Sequence, residues 1–286
     1  MPLPHFLVKK APKQVHIRRI RQLLEDNRLN TVCESAKCPN IGECFGRNTL
    51  TFMIMGNLCT RHCRFCGVDK GKPLPLDETE PERIASAVKK LGLNYVVITS
   101  VTRDDLPDGG ASQFAAVIKT INQWQDTRNK MQATIRTEVL IPDFQGNKEA
   151  LKTVLDADPF VLSHNLETVP RLYPQIRPEA DYRRSLELLE RSKKYRPDIY
   201  TKSGFMLGLG EEKEEVISVI NDLKMVSCDL VTIGQYLPPS KQHPAVSRYA
   251  TPEEFKKYQA IGQKLGIKVF AGPFVRSSYQ AGEMVL

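Results

Sequence analysis

From Thr51 onward, one pattern repeats six times along this chain of 286 residues: a short apolar run, then an amphipathic stretch. The apolar runs are TFMIM (51–55), YVVIT (95–99), 133–139, PFVLS (159–163), 199–207 and DLVTIG (229–234). Helical spacing follows each, at 81–91, 111–124, 147–156, 181–194, 212–226 and 252–265, before a last short strand at 269–271. Apolar strands separated by helices of this length predict a parallel sheet, because parallel neighbours need a crossover connection. Six βα units fall short of the eight that close a TIM barrel, so an open or partial barrel is expected.

In such folds the chemistry collects where strands end, and here the polar segments sit just there. Cys59–Cys66 follow the first strand and Ser100-Val101-Thr102-Arg103-Asp104-Asp105 the second. Ile141-Pro142-Asp143 follows the third, His164-Asn165-Leu166-Glu167-Thr168 the fourth, Gly208-Leu209-Gly210-Glu211 the fifth and Gln235–Ser240 the sixth. This placement supports an enzyme.

Six of the seven cysteines fall within residues 33–66, where an even scatter would put fewer than one. They form two triads, Cys33-x4-Cys38-x5-Cys44 and Cys59-x3-Cys63-x2-Cys66. Short, uneven gaps read as metal ligands in a reducing compartment, not as a disulfide framework. Three thiolates leave one corner of a four-iron cluster, or of tetrahedral zinc, open to another ligand. Two open sites suggest two tasks within one reaction. Zinc is the plainer alternative, with His62 able to complete a set, but zinc ribbons pair two C-x2-C hooks and neither triad has that spacing. Cys228 stands alone beside a predicted strand and reads as a small core residue. Trp124, Met53, Met55 and Met206 likewise read as packing.

The rest of the composition narrows the setting. No apolar run approaches the roughly 18 residues of a membrane span, and Met1-Pro2-Leu3-Pro4-His5 has no signal-peptide layout. A cytoplasmic protein without membrane contact is expected. The net charge is +8, and residues 1–32 supply +5 of it through Lys9, Lys10, Lys13, Arg18, Arg19, Arg21 and Arg28 against Glu25 and Asp26. Such an arm can steer an acidic partner, or can simply be the solvated face of a helix over 15–28. A zinc-stabilised nucleic-acid module would explain the arm, but residues 1–32 offer only Phe6 for stacking, and the strand-end motifs would stand idle. No nucleic-acid partner is expected.

C-x3-C-x2-C on a loop after a first barrel strand resembles the signature of the radical S-adenosylmethionine (SAM) enzymes, here Cys59-Thr60-Arg61-His62-Cys63-Arg64-Phe65-Cys66. One tight loop presents three thiolates to three corners of a cubane. The resemblance implies that the fourth iron binds SAM, whose reductive cleavage gives a radical that attacks C–H bonds beyond the reach of acid–base chemistry. It also implies a partial (β/α)6 TIM-like barrel of the radical SAM type.

The wider first triad narrows the family. CESAKCPNIGECF (33–45), CTRHCRFC (59–66), TSVTRDDLPDGGA (99–111), SHNLET (163–168), GQYLPPS (234–240) and RSSY (276–279) occur in order. Together they resemble the lipoyl synthase family over nearly the whole chain after the arm. The resemblance implies two [4Fe-4S] clusters: Cys59, Cys63 and Cys66 for SAM cleavage, and Cys33, Cys38 and Cys44 for an auxiliary cluster. A serine of RSSY completes the auxiliary set, with Ser278 preferred over Ser277. It implies a sulfurtransferase that inserts sulfur at C6 and C8 of a protein-bound octanoyl-lysine, the auxiliary cluster being the sacrificial donor. Implied partners are an octanoylated lipoyl carrier protein or domain, an electron donor such as ferredoxin or flavodoxin, and iron–sulfur assembly or carrier proteins. The chain then divides into a cysteine-rich extension (1–49), the barrel (50–271) and a tail covering the barrel mouth (272–286).

Five further positions, and more weakly a sixth, are candidates for SAM contact. Gly109 and Gly110 stand where radical SAM enzymes carry a GGE-type motif, with Ala111 in place of Glu, and they would equally serve a turn. Asn165 ends the fourth strand and can contact cofactor or cap a turn, with Glu167 a weaker candidate. Arg103 and Arg177 can fork onto the SAM carboxylate or form surface salt bridges. Lys202 and Glu138 lie on predicted strands, where an inward charge needs a partner.

Overall fold

The structure is a computed structural model and describes residues 3–9, 14–126 and 134–285. Lys10, Lys13 and the first residue of the strand expected at 133–139 lie outside the described residues. The chain divides into two compact units. One comprises Ala11–Arg61 and Val68–Leu162, the other Met1–Lys10, His62–Gly67 and Ser163–Leu286.

The first unit opens with helix α1 (Gln14–Asp26), which buries Ile17, Ile20 and Leu24 on one face and leaves Arg18 and Arg19 exposed. It stops short of the expected 28 because Arg28 takes a left-handed φ of 49°. Strand β1 (Asn30–Thr31) pairs antiparallel with β2 (Thr51–Ile54), and two short helices, α2 (Val32–Ser35) and α3 (Ile41–Gly46), lie between them. The stretch that carries the first cysteine triad is thus partly helical. A two-stranded parallel ribbon of β3 (Leu58–Cys59) and β4 (Asp69–Lys70) flanks the second triad. Then come α4 (Glu80–Leu91), β5 (Tyr95–Ser100), α5 (Ala111–Asp126), β6 (Arg136–Leu140), α6 (Lys148–Leu155) and β7 (Val161–Ser163). Strands β2, β5 and β6 are parallel neighbours in that order. All three are buried in their middle residues, as expected of strands covered on both faces.

The second unit holds α7 (Tyr173–Ile176), α8 (Tyr182–Tyr195), β8 (Tyr200–Leu207), α9 (Lys213–Met225), β9 (Leu230–Gln235), α10 (Pro252–Leu265), β10 (Lys268–Gly272) and α11 (Ala281–Val285). Strands β8, β9 and β10 run parallel. Leu189, Phe205, Val219, Ile220, Ile233 and Phe255 lie in the core between this sheet and its helices. Cys228 belongs to that core, as expected. Every strand anticipated from the βα repeat is present. Among the described residues, no helix is long and apolar enough to cross a membrane.

Candidate active site

The first triad is assembled by local capping. Thr31 caps α2 by accepting the Cys33 N–H, and the following turn returns the Cys38 N–H to the Cys33 carbonyl at 3.0 Å. Asn40 then starts α3, and its carbonyl accepts the Cys44 N–H at 2.9 Å. Burial pushes the Cys44 thiol up to about 12, and the neighbouring Cys33 and Cys38 add to the shift. Burial also raises Cys33, with the Thr31 hydroxyl opposing and Cys38 adding. Three sulfurs this close repel one another as thiolates, and positive iron would relieve that repulsion. The donor set therefore fits an iron–sulfur cluster. Among the described residues, no three His, Cys, Asp or Glu side chains are gathered around a point that would hold a single metal ion; the thiolates of a cubane each bind a separate iron.

The second triad lies on a loop with built anchors. In the first unit the Thr102 N–H points at Cys59 Sγ at 3.3 Å, a contact of the kind that tunes a cluster thiolate. Thr60 donates to the Thr102 carbonyl through both its N–H (3.1 Å) and its hydroxyl (3.0 Å). Arg61, 3% exposed, forks onto Asp104 at 2.6 and 2.9 Å and donates to Asp143 at 2.6 Å. Burial works against its charge, but the bonds to Asp104 and Asp143 outweigh that and hold the guanidinium charged.

Cys63 and Cys66 are half-buried in the second unit. There Glu179 accepts the N–H and Nδ1 of His62 at 3.1 and 2.9 Å, and Ile176 accepts the Arg64 N–H at 2.9 Å. His243 Nε2 lies 3.2 Å from the Cys66 carbonyl, and its Nδ1 lies 2.9 Å from the Ser240 hydroxyl. A neutral ring that donates through Nε2 accepts from Ser240 through Nδ1. The segment after β9 thereby fastens the last cysteine of the loop.

The strand-end candidates divide by how their polar atoms are used. Arg103 is buried and forks onto Asp105 at 2.9 and 2.8 Å, and its Nη1 is buried without a hydrogen-bond partner among the described residues. A buried orphan guanidinium N–H is a feature that a carboxylate ligand would satisfy. Gly109 and Gly110 have positive φ of 62° and 88°. A Cβ at Gly110 would lie 2.2 Å from Met55 Sδ, and one at Gly109 would lie 2.9 Å from the Phe144 ring. The Gly110 N–H is held by Asp108 at 2.9 Å. Packing and turn geometry alone give both glycines a local reason.

In the second unit Asn165 donates through Nδ2 to Glu167 at 2.9 Å and accepts the Ser277 hydroxyl at Oδ1 at 2.9 Å. Arg177 is buried, with Nη1 donating to the carbonyls of Asn165 and Leu166 at 2.9 and 3.1 Å. That arm secures the segment after β7. Burial raises the Glu167 carboxyl, against the influence of Arg177, Asn165 and Arg276. Ser278 is half-buried in the tail, and its hydroxyl has no hydrogen-bond partner among the described residues.

Sequence reasoning passed over Arg61, His243 and Glu80. Glu80 accepts the Met55 N–H through both oxygens at 3.1 and 3.0 Å, and Gln113 donates to it at 3.0 Å. This holds Met55 at a positive φ of 66° shortly before the loop of the second triad. The one available signal was a Glu at the start of a helix with an apolar buried face.

Residues 53–223 match the Radical SAM superfamily. A lipoyl synthase of Caldanaerobacter subterraneus subsp. tengcongensis is 58% identical over 266 residues, covering 93% of this chain and 91% of that protein. The chain belongs to the lipoyl synthase family. A second member, from Aquifex aeolicus, is 54% identical over 93% of this chain and 95% of its own length. Among solved structures, Streptococcus suis SuiB bound to S-adenosylmethionine superposes with a TM-score of 0.60 at 11% identity, over 82% of this chain. This chain spans about half of SuiB, 53% of its length. Methylornithine synthase (PylB) superposes with a TM-score of 0.55 at 12% identity, over 93% of this chain and 80% of its own. At such identities the structural likeness speaks to fold alone, and that fold is the radical SAM α/β fold with a mostly parallel sheet. Both lipoyl synthases match more than nine-tenths of this chain.

Proposed function

We propose that this member of the lipoyl synthase family inserts sulfur at C6 and C8 of an octanoyl chain carried on a lysine of a lipoyl carrier protein. Its cofactors are SAM and two [4Fe-4S] clusters. The observation that carries the reading is the presence of two separate cysteine triads, each with its own built setting, on a radical SAM frame. Cys59, Cys63 and Cys66 would hold the SAM-binding cluster. Cys33, Cys38 and Cys44 would hold the auxiliary one, with Ser278 as the fourth ligand. Among the described residues the Ser278 hydroxyl has no hydrogen bond to give up, whereas Ser277 is bonded to Asn165. When bound, these groups supply a radical that takes hydrogen from an unactivated carbon, and a sulfide that replaces it.

The chain's own residues orient that chemistry. Thr102 bonds to Cys59, and Arg61 and His243 fix the two ends of the cluster loop. The orphan Nη1 of Arg103 would bond the SAM carboxylate. Asn165 would present its remaining amide hydrogen, while Arg177 holds its backbone. Gly109 and Gly110 would let the backbone approach SAM closely. The extension, barrel and tail at 1–49, 50–271 and 272–286 keep their separate tasks: auxiliary cysteines, SAM site and serine ligand. The exposed arginines of α1 suit an acidic carrier domain. The clusters need a one-electron donor such as ferredoxin or flavodoxin, iron–sulfur assembly or carrier proteins, and a reducing compartment such as the cytoplasm.

Iron and acid-labile sulfide in anaerobically purified protein test the assignment. About eight irons per chain are expected, falling to about four when Cys59, Cys63 and Cys66 are all alanine. Ser278→Ala should cripple sulfur insertion more than SAM cleavage. A colourless protein holding zinc without sulfide would refute the reading.

A further inference from the structure

Two serines follow one another in the tail, and the second unit treats them differently. Ser277 donates its hydroxyl to Asn165 Oδ1 at 2.9 Å, and the same amide donates through Nδ2 to Glu167 at 2.9 Å. The Glu167 oxygen takes the Nδ2 end, which turns Oδ1 to the Ser277 hydroxyl, and the two bonds together hold the amide in place. One N–H and one lone pair remain for a ligand.

Two glycines make that contact possible. A Cβ at Gly204 on β8 would lie 3.0 Å from Ser277 Oγ, 3.1 Å from Asn165 Oδ1 and 2.4 Å from Thr232 Oγ1. A Cβ at Gly234 on β9 would lie 2.1 Å from the Val275 carbonyl oxygen and 3.0 Å from Arg276 Nη1. Gly204 pairs with Thr232 and Gly234 with Met206, so the two notches sit on adjacent strands. Residues 275–277 cross the sheet through them. Lys9 brackets the same segment, lying 4.6 Å from the Phe274 ring and 5.3 Å from the Tyr279 ring. To bind iron, Ser277 would have to leave Asn165.

We propose that Ser277 is a positioning residue that fixes the Asn165 amide for contact with SAM, and that it is not the tail's iron ligand. The proposal rests on the placement of SAM given above. It gives the two serines of RSSY separate tasks: the first ties the tail to the SAM site, and the second is left to the auxiliary cluster.

The test uses cluster-loaded full-length protein, with SAM affinity by equilibrium dialysis, iron content, and the electron paramagnetic resonance spectrum of the auxiliary cluster. Ser277→Ala should keep about eight irons and the wild-type auxiliary spectrum while binding SAM about tenfold more weakly. Ser277→Thr should restore affinity. Ser278→Ala should leave SAM affinity intact and change the auxiliary spectrum. If Ser277→Ala does not fold, Ser277→Thr and Ser277→Val, alike in shape, isolate the hydroxyl, and Val should bind SAM the more weakly. A changed auxiliary spectrum in a Ser277 variant, or equal SAM affinity in the Thr and Val variants, would overturn the proposal. Failure of the wild type to bind SAM would instead strike the proposed function.

Discussion

Arg61 and Asp143, 82 residues apart in sequence, meet at 2.6 Å with both side chains buried. The arginine lies inside the loop of the second cysteine triad, and the aspartate follows β6. This pair, with Asp104, anchors the start of the loop from within the first unit. Arg61→Met removes the cation and leaves Asp143 buried without it. Breaking a buried pair from one side typically costs about 3–5 kcal/mol, so urea denaturation of the cluster-free protein should show a loss of that order. Arg61→Lys keeps the charge but not the fork, and should recover only part of the loss.

The tail offers an independent prediction. Gly234→Ala places a methyl group 2.1 Å from the Val275 carbonyl, a backbone atom that cannot rotate away. Residues 275–277 should lift from β9 and expose Arg276. Limited trypsin digestion followed by mass spectrometry should show cleavage after Arg276 in the variant well before it appears in the parent. Equal rates would mean that the tail does not depend on this notch.

Cys228 should be inert. Burial pushes its thiol up to about 12, and the side chain points at the carbonyls of Leu230 and Thr201 at 3.4 and 3.7 Å. Alkylation by iodoacetamide at pH 8 should run roughly a thousandfold slower than for a free thiol. Between the ordinary thiol range and about 12, the folded chain keeps a proton that the unfolded chain has released. Stability contributed by this thiol is therefore fully present below that window and falls as pH rises through it. Cys228→Ala should remove this part of the alkaline slope in a denaturation series.

The strands were legible in the sequence because apolar runs, helical spacing and strand-end polar residues agreed at every βα unit. The two cysteine triads stood out in the sequence because six of seven cysteines crowd into residues 33–66. Helices α2 and α3 were not, since four and six residues are too few for a helical period to show. Arg61 and Glu80 were missed because their partners lie 43, 82 and 25 residues away, beyond any local pattern. Gly204 and Gly234 did carry a signal: an isolated glycine inside a strand marks the close approach of another backbone. Sequence alone could not separate Ser277 from Ser278, because what distinguishes them is a contact with Asn165 across 112 residues.

The most direct test of the account follows the sulfur. Protein whose clusters have been rebuilt with heavy-isotope sulfide is given SAM, a reductant and an octanoylated carrier domain, and the carrier is read by mass spectrometry. The account predicts two heavy sulfur atoms in the carrier. It also predicts that Cys63→Ala cleaves no SAM and that Cys38→Ala cleaves SAM yet transfers no sulfur. Product formed by Cys38→Ala, or product without the heavy isotope, would contradict the auxiliary cluster as the sulfur source.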